Sequence, residues 1–425
     1  MRKIFFNLLL ISFLSANAQE NMHPAAAQKN PVLIKNGTIH LGNGQVIENG
    51  YIFFDKGKIV AVGSGNYDAS PVTSIVDAHG KQLYPGLIAA STNLGLIEVG
   101  AVRSTGDYAE LGTMNPNIHS LVAYNTDSKV INTIRSNGVL LAHIVPSGGL
   151  LSGTSSVVQL DAWNWEDAAY KTDNGIHLNI PVLLNRPGQP DQVKSGLEKM
   201  EEVRNFFREA KGYNNEPVHA KVNLKFEAVK GLFRGTQSLF VHCDLVREMM
   251  IAIDFAREFG FKLVLVGGSD SWMIPEVLKE NNVAVILSQP HSLPSAEDDD
   301  IDQPYKTGAV LQKAGVLFTI CQDQSFGYWR QRDLPFQAGT MATYGLTKEE
   351  ALSTLTLNAA KILGIDHLTG TLEAGKDANI VLSEGDLLDM KSSKVTKAFI
   401  QGREINLDNK QSQLFEKYKT KYSIK

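Results

Sequence analysis

From residue 31 onward, short runs of β-branched and aromatic residues alternate with turn dipeptides: Val32-Leu33-Ile34, Asn36-Gly37, Thr38-Ile39, Gly42-Asn43-Gly44, Tyr51-Ile52-Phe53-Phe54, Lys56-Gly57 and Ile59-Val60-Ala61-Val62. This rhythm predicts consecutive hairpins over 31–83. A similar texture returns over 370–406, where Gly375-Lys376-Asp377-Ala378 leads into Ile380-Val381-Leu382 and then the apolar stretch 395–400. β segments at opposite ends of a chain join most economically when the part between them is a closed body that returns its ends together. The two segments are therefore expected to build one composite β-sandwich.

Eight short apolar runs fall between them, at 83–90, 139–145, 155–160, 175–180, 238–242, 262–267, 283–288 and 315–321. Helix-like spacing or composition marks 195–210, 245–259, 272–280, 305–314 and 347–364. Eight strands separated by such segments predict a (β/α)8 barrel of TIM type over 84–369, an α/β fold. Residues 91–137 and 146–174 are long Gly- and Ser-rich connections, expected over the C-terminal face where barrels place their sites.

The ends carry other signals. Arg2 and Lys3, the apolar run 4–14 and Ala16-Asn17-Ala18 have the layout of a signal peptide over 1–18, so export to the periplasm or the medium with cleavage after Ala18 is expected. Residues 19–30, rich in Gln, Asn and Ala, predict a disordered lead, and 407–425 a C-terminal tail, either a short docking helix or a frayed end. No later stretch approaches the roughly 18–20 uncharged apolar residues of a membrane span. With 43% hydrophobic and 20% charged residues among 425, the composition is that of a globular protein, and a net charge of −4 gives nucleic acid no field to bind. Cys243 and Cys321 are the two cysteines, so the fold does not depend on a disulfide framework.

The stretch Pro85-Gly86-Leu87-Ile88-Ala89-Ala90-Ser91-Thr92-Asn93 resembles the first barrel strand of the amidohydrolase superfamily, which reads Pro-Gly-Leu-Ile-Asp-x-His-x-His. Pro85, Gly86, Leu87 and Ile88 match, whereas Ala89 takes the aspartate position and Ser91 and Asn93 take the two metal-binding histidine positions. Thr356-Leu357-Asn358-Ala359-Ala360, Leu363-Gly364 and Gly375-Lys376-Asp377-Ala378 extend the resemblance, which runs from Val32 to Ile405 and is nearest to the imidazolonepropionase-like branch. It implies the same barrel and sandwich, with metal ligands at the ends of strands one, four, five, six and eight. At those places this chain has His177 on strand four, His242 on strand five, Gly267 in place of a histidine on strand six, and Asp323 after strand eight. The resemblance thus implies His177, His242 and Asp323 as ligands of one divalent ion, zinc, manganese or iron, with a metal-free site as the alternative. The two-metal centre of the superfamily is not retained.

In the resembled chemistry Asp323 activates water and His242 polarises or positions the scissile group. Asp323 also suits a metal-free general base, or an acceptor for backbone amides at 325–327. Ser91, Asn93 and His291, the last just past strand seven, are the candidate substrate binders. His143 lies inside the apolar run Leu140-Leu141-Ala142-His143-Ile144-Val145 and reads as a hydrogen-bonded core histidine, and Glu98, Arg103 and Asp107 read as solvated loop charges. Residues 146–154 lack the Lys-Ser/Thr of a phosphate loop, and 297–300 lack the spaced ligands of a calcium loop. Two functions stay open. One is a hydrolase of carbon–nitrogen bonds in non-peptide or dipeptide substrates. The other is a non-catalytic barrel that binds a small molecule or partners a complete amidohydrolase, and either allows a homo-oligomer.

Overall fold

The structure, a computed structural model, describes residues 23–68, 74–188, 190–219, 221–288, 290–322 and 327–424. The expected signal peptide 1–18, residues 19–22 of the lead, and Asp323 lie outside them.

Turn chemistry sets the first hairpins. Strands β1 (Val32–His40) and β2 (Val46–Asp55) pair antiparallel, and β3 (Lys58–Ser64) follows across a two-residue turn. Lys56 and Gly57 hold φ of 48° and 79° there, the pair of positive values that such a turn requires and that glycine adopts freely. Strands β4 (Ser74–Asp77) and β5 (Gln82–Pro85) return parallel beside β1.

The central sheet holds β6 (Leu87–Thr92), β7 (Val139–Ile144), β8 (Leu151–Gln159), β9 (Ala169–Asn179), β10 (Ser238–Cys243), β11 (Leu263–Gly267), β12 (Ala284–Ser288) and β13 (Phe318–Cys321), side by side in chain order. β13 comes back against β6, so the sheet is a nearly closed barrel. The first predicted run divides at Gly86, with its first half in the end sheet and its second in the barrel. One strand departs from the expected all-parallel order: β8 runs antiparallel to both β7 and β9. The linker 145–150 is too short for a parallel crossover, which takes about a dozen residues or more.

Strands β14 (Ile380–Ser383), β15 (Val395–Ile400) and β16 (Arg403–Glu404) rejoin the first sheet, giving the order β16-β15-β14-β5-β1-β2-β3 with β4 also on β1. The composite unit expected from both chain ends is therefore one continuous sheet, curled around Ile34, Ile39, Ile52, Phe54, Leu83, Ile380 and Phe399. Its β3 edge closes on the segment before β14, where Ile59 N–H donates to Lys376 O and Ala378 N–H to Gly57 O, both at 2.8 Å.

Helices Gln192–Asn215, Val246–Phe259, Gln303–Ala314 and Leu334–Thr343 cover the barrel. In Val246–Phe259 the buried Met249, Ala252, Ile253, Ala256 and Phe259 recur at helical spacing, the Glu248 carboxylate accepts the Leu245 N–H at 3.2 Å, and Gly260 ends the helix at φ 76°.

Two buried carboxylates tie the chain ends to the barrel. Asp377 takes Lys58 at 2.5 Å and the Tyr170 hydroxyl. Asp161 takes Arg135 at 2.6 Å, Arg403 at 3.0 Å and the Ala25 N–H at 2.9 Å. That last bond corrects the expected disordered lead: residues 23–30 are docked, with Gln28 also bridging Phe54 O and Gly57 N–H. The tail forms the helix Lys410–Lys421, attached where Asn409 donates to Ser136 and Thr133 to Gln411. Cys243 and Cys321 are both buried, and no disulfide joins them. Among the described residues no helix is long and apolar enough to cross a membrane.

Candidate active site

The strands' alternation builds the barrel interior from one side of each. Ile88, Ala90, Leu141, Val157, Phe240, Val264, Val266, Ala284 and Ile286 fill it, and the helix Leu357–Leu363 closes its lower end with Ala359, Ala360, Ile362 and Leu363. One step further along three strands the filling turns from aliphatic to imidazole: His143 on β7, His177 on β9 and His242 on β10. Phe240 is their floor. The His177 ring lies flat on it, centroids 4.9 Å apart and planes at 4°, and the His143 ring tilts against it at 4.9 Å.

His177 pairs with Phe240 across the β9–β10 ladder, so His242 is its diagonal neighbour. That register puts His177 Nδ1 2.9 Å from His242 Nε2. Burial holds both imidazoles neutral: it lowers His242 to about 4 and takes His177 well below its ordinary value, with the nearby His242 and His143 adding to the effect at His177. Neutral imidazole is the metal-binding form. His177 Nε2 is buried without a hydrogen-bond partner among the described residues. His177 is fully enclosed whereas His242 is partly exposed, so the pair is reached from the His242 side.

His143 differs. Its Nδ1–H donates to Ala90 O at 2.9 Å and its Nε2 meets the Ser155 hydroxyl at 2.7 Å, so both nitrogens are satisfied and it is the core histidine its apolar run predicts. Burial lowers it to about 3.

Ser91 and Asn93 stand at the mouth end of the first barrel strand. β6 carries an extra residue between Ala89 and Thr92, where β7 advances only from Ala142 to Ile144, and this bulge re-aims the strand end. Ser91 is fully buried there. Asn93 donates its amide N–H to Val145 O at 2.7 Å and to Ser147 Oγ at 3.1 Å, tying β6 to the turn before β8. The strand-six position is closed to a histidine by its backbone. Gly267 has φ 108°, and a Cβ there would stand 2.7 Å from Cys243 O and 2.8 Å from Asp244 Oδ1.

His291 is not brought to the pair. It lies outside the barrel wall, where its Nε2 bonds Thr340 Oγ1 at 2.6 Å and its ring meets the edge of Tyr305. Asp323 lies outside the described residues; Cys321 before it is in the barrel interior, 3.6 Å from Ser288 Oγ. Among the described residues no group of three or more His, Cys, Asp or Glu is arranged to hold a metal ion. The pair alone fits two ligands of one ion, since nitrogens bound at 2.0–2.1 Å stand roughly 2.9–3.4 Å apart between right-angled and tetrahedral geometry. Ser91, Asn93 and Gly267 bring no imidazole to the mouth of the barrel.

Sequence reasoning missed the company these residues keep. Phe240 beneath two histidines, and Asn179 bonded to Gly149 O and Ser152 Oγ, are single positions in strands whose alternation is visible only once register is known.

The chain resembles known proteins along nearly its whole length. It is 25% identical over 426 residues to the imidazolonepropionase of Streptococcus gordonii, covering 90% of this chain and 93% of that one, and 25% identical over 424 residues to that of Streptococcus sanguinis. An amidohydrolase structure from Thermotoga maritima superposes with a TM-score of 0.77 at 27% identity, over 88% of this chain and 99% of that one. The profile of the amidohydrolase family matches residues 171–405, more than half of the 425, and the chain belongs to that family, in its imidazolonepropionase-like branch.

Proposed function

We propose that this chain is an exported hydrolase of carbon–nitrogen bonds in small non-peptide or dipeptide substrates, working from a reduced centre of at most one divalent ion. The observation that carries this reading is the His177–His242 contact at 2.9 Å between two neutral imidazoles on adjacent strands of an amidohydrolase barrel. His177 and His242 would hold the ion, with Asp323 as third donor, and imidazole with carboxylate suits zinc, manganese or iron. Such an ion, when bound, supplies a water acidic enough to attack at neutral pH. The chain's own residues do the rest. Phe240 fixes the tilt of His177, and the partly exposed His242 positions the scissile group. Asn93, anchored through its amide nitrogen, leaves its carboxamide oxygen to accept a substrate N–H, and Ser91 near the end of β6 would be the second binder. Asp323 takes the proton of the attacking water.

A second reading is favoured by Gly267, whose backbone leaves no room for a side chain at the strand-six ligand position. In it the barrel is non-catalytic and binds a small molecule, or partners a related amidohydrolase barrel. Metal analysis of protein purified without chelator, combined with an amide, lactam and dipeptide panel, separates the two. About one ion per chain, lost together with hydrolysis in His177→Ala and His242→Ala, supports the one-metal enzyme. Hydrolysis without an ion, abolished by Asp323→Asn, supports the metal-free form. Neither ion nor hydrolysis, with a related barrel co-purifying, would establish the second reading.

A further inference from the structure

The helix Lys410–Lys421 is held to the body mainly at its start, through Asn409–Ser136 and Thr133–Gln411. Beyond that it stands in solvent with an apolar face uncovered: Leu414, Phe415, Tyr418 and Tyr422 are 40, 61, 46 and 63% exposed. At about 100° per residue these four share one side, with Lys410, Lys417 and Lys421 along one flank and Lys419 on the other. Lys421 Nζ lies 5.9 Å from the Tyr418 ring centre and 5.2 Å from that of Tyr422, and Lys417 Nζ 6.0 Å from that of Tyr418, so the lysine stems border the aromatic rings. A helix this short is marginal in water on propensity alone, and its exposed apolar face gains little of the packing that usually stabilises such helices.

Charge decides what covers the face. The helix carries four lysines against Glu416, while the whole chain has a net charge of −4, so positive charge is concentrated here against the balance of the molecule. Pairing this face with the same face of a second copy would bring the lysine flanks together. Aromatic and leucine side chains flanked by lysines are instead the pattern of a helix lying in a lipid interface, with rings at headgroup depth and ammonium groups reaching the phosphates.

We propose that Lys410–Lys421 lies flat on an anionic lipid surface, with Leu414, Phe415, Tyr418 and Tyr422 inserted and Lys410, Lys417, Lys419 and Lys421 on the headgroups. This assignment is independent of the reaction in the barrel. The test is co-sedimentation of the full chain with vesicles of phosphatidylglycerol and phosphatidylcholine, against vesicles of phosphatidylcholine alone. Binding to the anionic vesicles is expected, weakening as salt is raised, with each lysine lost by Lys417→Glu or Lys421→Glu costing about fivefold or more in partitioning. The double variant Phe415→Ser, Tyr418→Ser is expected to abolish binding while the thermal unfolding midpoint of the barrel stays unchanged. Equal binding to neutral vesicles, or none to either, would overturn the proposal. A concentration-dependent dimer that Phe415→Ser dissociates, without vesicle binding, would overturn it in favour of a second copy.

Discussion

His143 and His177 have ring centres 5.6 Å apart and both are fully buried, yet their nitrogens are treated differently. His143 has a partner for each nitrogen, whereas His177 has His242 for one and nothing among the described residues for the other. That difference separates an imidazole paired at both nitrogens from one paired at a single nitrogen among the described residues. It also gives His143 a pH signature. Its folded value of about 3 lies below the 6.5 of an unfolded chain, so as pH falls through 6.5 the unfolded state takes up the proton first. Its stabilising effect is complete above that pH and declines by up to about 1.4 kcal/mol per unit toward pH 3. His143→Leu should cost about 1–3 kcal/mol at pH 7, because Ser155 loses a partner and Ala90 O is orphaned. It should also flatten the acid limb of stability by about one proton, measured by urea unfolding from pH 7 to pH 4; an unchanged slope would show that His143 titrates normally. The apolar run around His143 foretold its role. The contact of His177 with His242 could not be read from the run 175–180, because it depends on a diagonal neighbour on another strand.

At the level of elements, the eight apolar runs were legible because buried strands must be apolar, but direction was not read from them. β8 shows why. Its sequence Leu-Ser-Gly-Thr-Ser-Ser-Val-Val-Gln begins as a loop would, and yet all nine residues are buried. Hydroxyl and backbone bonds hold that half: Thr154 Oγ1 donates to Pro116 O at 2.8 Å, its N–H to Ile118 O at 2.7 Å, and Ser155 Oγ donates to His143 Nε2 at 2.7 Å. The strand expected at 155–160 misses its polar half, and with that half taken as connection the short turn at 145–150 that forces a hairpin was not visible. Gly153 makes this packing testable. It has φ 144°, and a Cβ would lie 2.5 Å from Ile118 O. Gly153→Ala should therefore lower unfolding free energy by about 2–3 kcal/mol. A stability within about 0.5 kcal/mol of the parent would mean that the 114–119 segment does not lie against β8.

Across the whole molecule, the composite sheet was legible because a closed body returns its ends together, and β5 from the first part pairs with β14 from the last. What the sequence hid is how that union is fastened, by Asp161 and Asp377 reaching residues hundreds of positions away, because a buried carboxylate is recognisable only from its partners. The same limit applies to the site. Ser91, Asn93 and Gly267 take the expected ligand positions only by resemblance, and that Gly267 has no room for a side chain needed the backbone. The proposed chemistry depends on His177 and His242 acting as one ligand pair. Crystals soaked in zinc and measured at the zinc edge test this most directly. An anomalous peak about 2.0–2.1 Å from both His177 Nδ1 and His242 Nε2 is the predicted result. Retention of the direct contact between those nitrogens in the presence of saturating zinc, with no peak between them, would contradict it.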